Sequence, residues 1–430
     1  MQVIENLKVK EKVYIETLEN GLTILIIPKK ETEKKFIIWG TNFGSIDSKF
    51  IAPGENEITT VPDGVAHFLE HKLFEQKNGT NSLDTLTAIG VDANAYTTTD
   101  HTAYLYECND KFYEALDEFM DYVQNPYFTK ENVEKEKGII GQEIRMYDDH
   151  PGWQVYINAM QCLYQNNPVR IDIAGSIDSI SNIDKDILYK SYNTFYHPSN
   201  MCLVVCGNFE AEAILEEIKK RLLPKEIIGE IQRIYPEEPE KVANKECKKQ
   251  MEVSTPIFVI GIKDKVSKEN MVKKHIAIEI LLNMIIGKSS KLYQTLYKQG
   301  LLLEEPDMQY EWSKEYAHIT ISAQSKDPKK VYQGIADTIQ EYKEHGLEPE
   351  HFDRIKRKIY GDYVKEFDDV ADIARMFLAD WMKGVNSFSY LEQYNAVTKS
   401  YAEEILKEVF LEDKTILSVV EPNSSSKEEK

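Results

Sequence analysis

The stretch HTAYLYECNDKFYEALDEFMDYVQNPYFTKENVEKEKGII spans residues 101–140, and AHITISAQSKDPKKVYQGIADTIQEYKEHGLEPEHFDRIKRKIY spans residues 317–360. Set side by side, they follow one plan. Each opens on a run of alternating character, as a strand does. A short polar turn, an amphipathic helix, a second turn and another helix follow. In the first copy Phe112, Leu116, Phe119 and Met120 share one face of a helix over Lys111–Val123. The spacing is kept across the copies: His101 and His318 stand 217 residues apart, Glu131 and Glu350 219.

Outward from the first copy, Val13–Pro28 alternates loosely about a turn at Asn20-Gly21, and Phe36–Trp39 reads as a second apolar strand. A helix begins near Asp63, which is placed to cap it. Another runs from near Thr129 through Glu143, and Cys202–Gly207 is the closing strand of this half. The second half repeats the order. STPIFVIGIKD resembles KKFIIWGTNFG, the helical run IAIEILLNMII follows, and KTILSVVEP echoes MCLVVCGNF. The halves meet in IYPEEPEKVANKECKKQMEVSTP, residues 234–256, polar and proline-bearing as linkers are. The expected fold is α+β: two homologous domains over residues 1–233 and 234–423, each a mixed or antiparallel sheet packed by helices, with a disordered tail over 424–430.

A chain of 430 residues exceeds one ordinary core, which agrees with two domains. No run approaches the ~18 apolar residues of a spanning helix, and the first residues lack the apolar core of a signal peptide. A cytoplasmic location is the expectation. The formal charge of -20 argues against a nucleic-acid binder and against an anionic-membrane binder. The five cysteines are odd in number and scattered, so no disulfide framework or four-cysteine zinc site is expected. Cys202 and Cys206 flank the run LVV and read as core residues.

Chemistry concentrates in GVAHFLEHKLF, Gly64–Phe74. His67 and His71 are four residues apart, so a helix sets both imidazoles on one face within reach of one metal ion. Two polar residues on a wet helix face would show the same spacing. Glu70 sharpens the reading: H-x-x-E-H is the inverse of the H-E-x-x-H metal motif, and a glutamate there can take a proton from water beside the metal. A third ligand is needed. Glu136 and Glu143, in ENVEKEKGIIGQEIRMYDD, lie two turns apart on one face. One of them can bind the metal while the other supports it, or both can belong to a solvated face. Gly138 and Gly141 between them point to close approach by another backbone. The second half has no such triad, and its equivalent helix offers only His275 and Glu279.

HFLEH, Glu136 with Glu143 and the duplicated halves together resemble the M16 peptidases, the group of pitrilysin, insulin-degrading enzyme and the mitochondrial processing peptidase. Within it the chain is most similar to the short bacterial YmfH-like members. The resemblance covers essentially the whole chain. It implies one Zn2+ per chain held by His67, His71 and Glu143, with Glu70 as general base and Glu136 supporting the site. It also implies that GVDANAYTTTDHTAYLY holds a substrate-binding edge strand, where Asn94, Ala95 and Tyr96 offer backbone pairing to an extended peptide. The gap of 72 residues from His71 to Glu143 is a few residues shorter than in familiar members.

One family feature is missing. Many active members carry an arginine and a tyrosine in a segment like L-R-x-x-x-Q-L-G-Y. Here SSKLYQTLYKQGLLLEE places Tyr297 near the arginine position and Leu303 near the tyrosine position, with Tyr293 or Arg357 as the nearest substitutes. The expected activity is a zinc metalloendopeptidase cleaving unstructured peptides in a chamber. The alternative is a metal-retaining non-catalytic or partner-dependent subunit. Family enzymes with four such domains imply that this two-domain chain works as a homodimer or as a heterodimer with a related M16 chain.

Overall fold

The computed structural model describes residues 1–226, 229–267 and 269–423; the tail expected over 424–430 lies outside the described residues. Helices and strands are mixed, and the chain divides into two compact units, each built on its own sheet. Among the described residues no helix is long and apolar enough to cross a membrane.

The first unit holds a seven-stranded mixed sheet. Its strands lie in the order Gln2–Asn6, Glu11–Thr17, Thr23–Pro28, Met201–Gly207, Lys35–Thr41, Thr102–Cys108 and Asp92–Thr97. The Thr23–Pro28 and Met201–Gly207 strands pair in parallel, and the other pairs are antiparallel. TILII, FIIW and CLVVC read as unbroken apolar runs because both faces of these strands are covered. Ile24, Ile26, Ile37, Trp39, Tyr104 and Leu203 meet helical Phe68, Leu69, Leu116 and Phe119 in one core. Thr102–Tyr106 is buried throughout, so the alternation of TAYLYE does not mark a wet face. Three of the buried tyrosine hydroxyls are satisfied internally: Tyr104 and Tyr196 hydroxyls bond each other at 2.9 Å, and Tyr106 donates to the Phe112 carbonyl at 2.9 Å.

The second unit holds a five-stranded mixed sheet in the order Glu246–Met251, Thr415–Pro422, Ile257–Asp264, Ala317–Gln324 and Asp307–Trp312. The repeat read from sequence is present. Strand Thr102–Cys108 is followed by helices Phe112–Gln124 and Lys130–Asp148, and strand Ala317–Gln324 by helices Pro328–His345 and Pro349–Lys365.

Neither unit is one continuous stretch, as residues 1–233 and 234–423 would be. The first unit comprises Met1–Ile144, Asp172–Tyr235 and Val364–Phe388; the second comprises Arg145–Ile171, Pro236–Tyr363 and Ser389–Lys430. Each sheet therefore receives a helix from the other half of the sequence. Helix Val370–Lys383 packs on strands Lys35–Thr41 and Met201–Gly207, while helix Pro151–Leu163 packs on strands Ile257–Asp264 and Thr415–Pro422. A glycine in an interior strand of each sheet seats the incoming helix. A Cβ on Gly40 would lie 2.8 Å from Leu378, and one on Gly261 would lie 2.9 Å from Leu163.

Two local expectations are corrected. Asp63 does not cap the motif helix Val65–Lys72; Gly64 precedes it at φ 92 with no side-chain cap. That backbone approaches the neighbouring loop so closely that a Cβ on Gly64 would lie 2.5 Å from the Ala174 carbonyl oxygen. Gly138 meets no close backbone, since a Cβ there would have nothing within 4 Å.

In the second unit Glu238 accepts backbone N–H groups of Gln165, Asn166 and Asn167 at 3.0, 2.7 and 2.7 Å and pairs with Lys263. Burial opposes its ionised form, but the Lys263 and amide hydrogen bonds win and hold its carboxyl below the ordinary range. Its stabilisation is therefore present above the unfolded carboxyl pKa, about 4.3, and is lost as pH falls through the lower folded value. Glu238→Gln is expected to cost about 2–3 kcal/mol at neutral pH, with the deficit shrinking in acid; denaturant melts of both proteins across pH 2–7 check this (a range set by about two units either side of the carboxyl pKa). The helix exchange makes a second prediction. A fragment ending at Tyr235 lacks Val364–Phe388 and leaves the sheet face around Gly40 bare, so it is expected to be insoluble or molten until a peptide spanning that segment is supplied. Near-UV circular dichroism with and without the peptide reads the outcome.

Candidate metal centre

Residues His67 and His71 stand one turn apart on the motif helix, with ring centroids 4.5 Å apart. Glu143, on helix Lys130–Asp148, faces both. His67 Nε2 is 3.7 Å from Glu143 Oε1, and His71 Nε2 is 3.6 Å from Glu143 Oε2. One donor atom from each of the three side chains lies within 4.8 Å of the others, the only such His/Cys/Asp/Glu group found among the described residues. These separations exceed good hydrogen bonds. They suit donors around one ion: tetrahedral zinc with bonds of about 2.0–2.1 Å sets its ligand atoms about 3.3 Å apart.

The surroundings orient these donors. Glu136 Oε1 lies 3.1 Å from His71 Nδ1, so it can accept that N–H and leave Nε2 with a lone pair facing Glu143. Glu136 also pairs with Lys72 at 3.3 Å, and the buried Lys72 pairs with Glu75 as well. Burial works against the Glu136 carboxylate, but His71 and Lys72 hold it below its ordinary pKa. For His71 burial likewise opposes charge, and Glu136, Glu70 and Glu143 outweigh it and raise its pKa. His67 is different: burial, then the neighbouring His71, push it down to about 3, so it stays a neutral donor. Its Nδ1 is buried without a hydrogen-bond partner.

Glu70 is 8% exposed, and burial raises its carboxyl against the opposing bond from Thr97. That bond, Thr97 Oγ1 to Glu70 Oε2 at 2.7 Å, links the motif helix to strand Asp92–Thr97. The strand is the last in its sheet and has one free edge. Thr98 N–H bonds the His101 carbonyl at 2.8 Å, and strand alternation then turns the amides of Ala93, Ala95 and Thr97 outward. Ala95 N–H accordingly meets no strand but the Asn94 side-chain oxygen, at 2.8 Å. Of the three expected pairing residues, Ala95 thus turns its amide to the open edge, Asn94 covers it, and Tyr96 packs its ring against His101. An open cleft of about 830 Å³ beside the site is lined by Glu70, His71, Glu75, Asn94 and Ile139, among others.

Thr97 and Lys72 escaped the sequence reading. A threonine in a strand and a lysine on a helix have no spacing that points at a glutamate. In the second unit His275 Nδ1 bonds the Tyr390 hydroxyl at 2.9 Å, and its Nε2 is 3.4 Å from Glu279, so the pair is committed within its own unit. Tyr297 is 53% and Leu303 79% exposed; Tyr293 is buried and stacks on Tyr297. Arg357 lies on an exposed helix face.

Residues 55–176 match the model for insulinase (peptidase family M16), and residues 182–359 match the model for the M16 peptidase inactive domain. A Bacillus subtilis protein named as the uncharacterized zinc protease YmfH is 35% identical over 427 residues, covering 98% of this chain and 99% of that one. The crystal structure of an M16-like peptidase from Alicyclobacillus acidocaldarius superposes with a TM-score of 0.92 at 32% identity, over 96% of this chain and 99% of that chain. Pitrilysin shares the fold at a TM-score of 0.75 and 18% identity, over 97% of this chain but 46% of its own. Similarity at this level, sustained from end to end, means that the chain belongs to the M16 family of peptidases.

Proposed function

We propose that the chain is a zinc-dependent endopeptidase that cleaves unstructured peptides, with one Zn2+ per chain held by His67, His71 and Glu143. The observation that carries this reading is the convergence of those three side chains within 4.8 Å, beside a buried glutamate tied to an open strand edge. The names of the relatives as zinc proteases support the choice of metal. When bound, the ion supplies Lewis acidity to the scissile carbonyl and to water. The chain's own groups do the rest. Glu70 takes a proton from the attacking water as its oxygen adds to the carbonyl, and returns it to the amine as the C–N bond breaks. Its raised pKa suits both halves of that task. Glu136 keeps His71 in register. The free edge pairs an extended peptide through the Ala95 amide, with Asn94 released to the substrate. Backbone pairing of this kind tolerates many sequences.

In this reading two chains form the working assembly, as a homodimer or with a related M16 chain, around a chamber that admits unfolded peptides. The pitrilysin match supports it, because this chain accounts for about half of that one. A second reading, a metal-retaining subunit that needs a partner for activity, is favoured by one observation: Leu303, exposed and without a hydrogen-bonding side chain, stands near the expected tyrosine position.

Purified, zinc-loaded protein incubated with a mixed set of unstructured peptides tests both. Wild type is expected to cleave, and Glu70→Gln is expected to keep stoichiometric zinc while losing about 10²–10⁴-fold in kcat. Equal cleavage by both proteins would sink the role of Glu70, and no cleavage despite bound zinc would favour the partner-dependent subunit. Glu136→Gln is expected to weaken zinc about 10–100-fold in chelator competition and to lower the thermal midpoint of the metal-free protein, because it removes a charged partner of the buried Lys72.

A further inference from the structure

Two of the five scattered cysteines meet in the second unit, away from the metal centre. Cys162 lies in the last turn of helix Pro151–Leu163, and Cys247 is the second residue of the edge strand Glu246–Met251, on which that helix packs. Cys247 Sγ is 3.4 Å from the Asn158 carbonyl oxygen, one turn before Cys162 on the same helix. Helical side chains lean toward the N-terminus, which brings the Cys162 thiol over that same turn. The backbone around the pair is pinned: Ala243 and Asn244 N–H both bond the Cys162 carbonyl, at 2.8 and 3.0 Å. Each thiol is the largest influence on the other's acidity. The Cys162 S–H pulls Cys247 down to about 7, and Cys162 is itself pushed up. Exposure differs too, since Cys162 is 2% exposed and Cys247 is partly open to solvent.

We infer that Cys162 and Cys247 form a thiol–disulfide exchange site that takes low-molecular-weight disulfides and closes into a bond tying helix Pro151–Leu163 to strand Glu246–Met251. The reaction balances in two exchanges. The Cys247 thiolate attacks one sulfur of the small disulfide and releases the other half as a thiolate. Cys162 then loses its proton and attacks the Cys247 sulfur, expelling the second half as a thiol. Two protein thiols are oxidised and one small disulfide is reduced to two thiols. Cys247 is the entry point because it is the accessible and more acidic partner. Cys108, Cys202 and Cys206 are buried in the first unit and stay reduced. The inference is independent of the metal centre.

Full-length protein is incubated with oxidised glutathione at about pH 7.5, then denatured and its thiols titrated. The count is expected to fall from five to three, with one cross-linked peptide joining Cys162 to Cys247, reversed by dithiothreitol. Cys162→Ser is expected to stop at a single glutathione adduct on Cys247. Cys247→Ser is expected to retain all its remaining thiols. Five thiols persisting in wild type, a lasting adduct on Cys247 without the cross-link, or a cross-link through any of the other cysteines overturns the proposal. The wild-type measurement stands alone if either variant fails to fold.

Discussion

The contact on which the centre depends is between His71 Nδ1 and Glu136 Oε1, 3.1 Å apart. It joins two helices distant in sequence and sets the rotation of an imidazole that would otherwise turn about its own bonds. With that ring held, its second nitrogen faces Glu143, two turns further along the Glu136 helix. One helix thus contributes both the support and the third donor, and the spacing between them is that of the helix itself. Lys72 completes the arrangement by balancing Glu136 in a buried setting, where an unpaired carboxylate would be costly.

The sheet enters through Thr97. Its bond to Glu70 places that carboxylate against the end of an edge strand of the sheet. In the proposed function, a peptide lying along that edge passes Glu70. Asn94, lying on the Ala95 amide, satisfies that edge, which also blunts an otherwise open template for strand pairing.

The second unit shows the same scaffold without the chemistry. Its equivalent histidine is bound by Tyr390 and Glu279, and no three-donor group forms there among the described residues. What both units share is a glycine in an interior strand and a helix from the other half of the chain seated on it. Leu378 and Leu163 occupy the space that a side chain at Gly40 or Gly261 would need. Each sheet is thereby covered on its second face, which explains strands that read as continuous apolar runs rather than alternating ones.

By itself the sequence determined the duplication, the α+β class, the helix that pairs His67 with His71, and the helix that pairs Glu136 with Glu143. The helix pairings are short-range periodicities and the duplication is one order of elements met twice, so the linear sequence suffices to read them. The roles within the glutamate pair came from family resemblance, because spacing leaves them interchangeable. Tertiary structure alone decided which glutamate faces both imidazoles, that Thr97 holds Glu70, that Gly64 rather than Asp63 begins the motif helix, that the halves exchange helices, and that Cys247 lies against the helix that carries Cys162. Each of those is a contact between segments far apart in the chain, and no periodicity in a linear sequence encodes a distance through space.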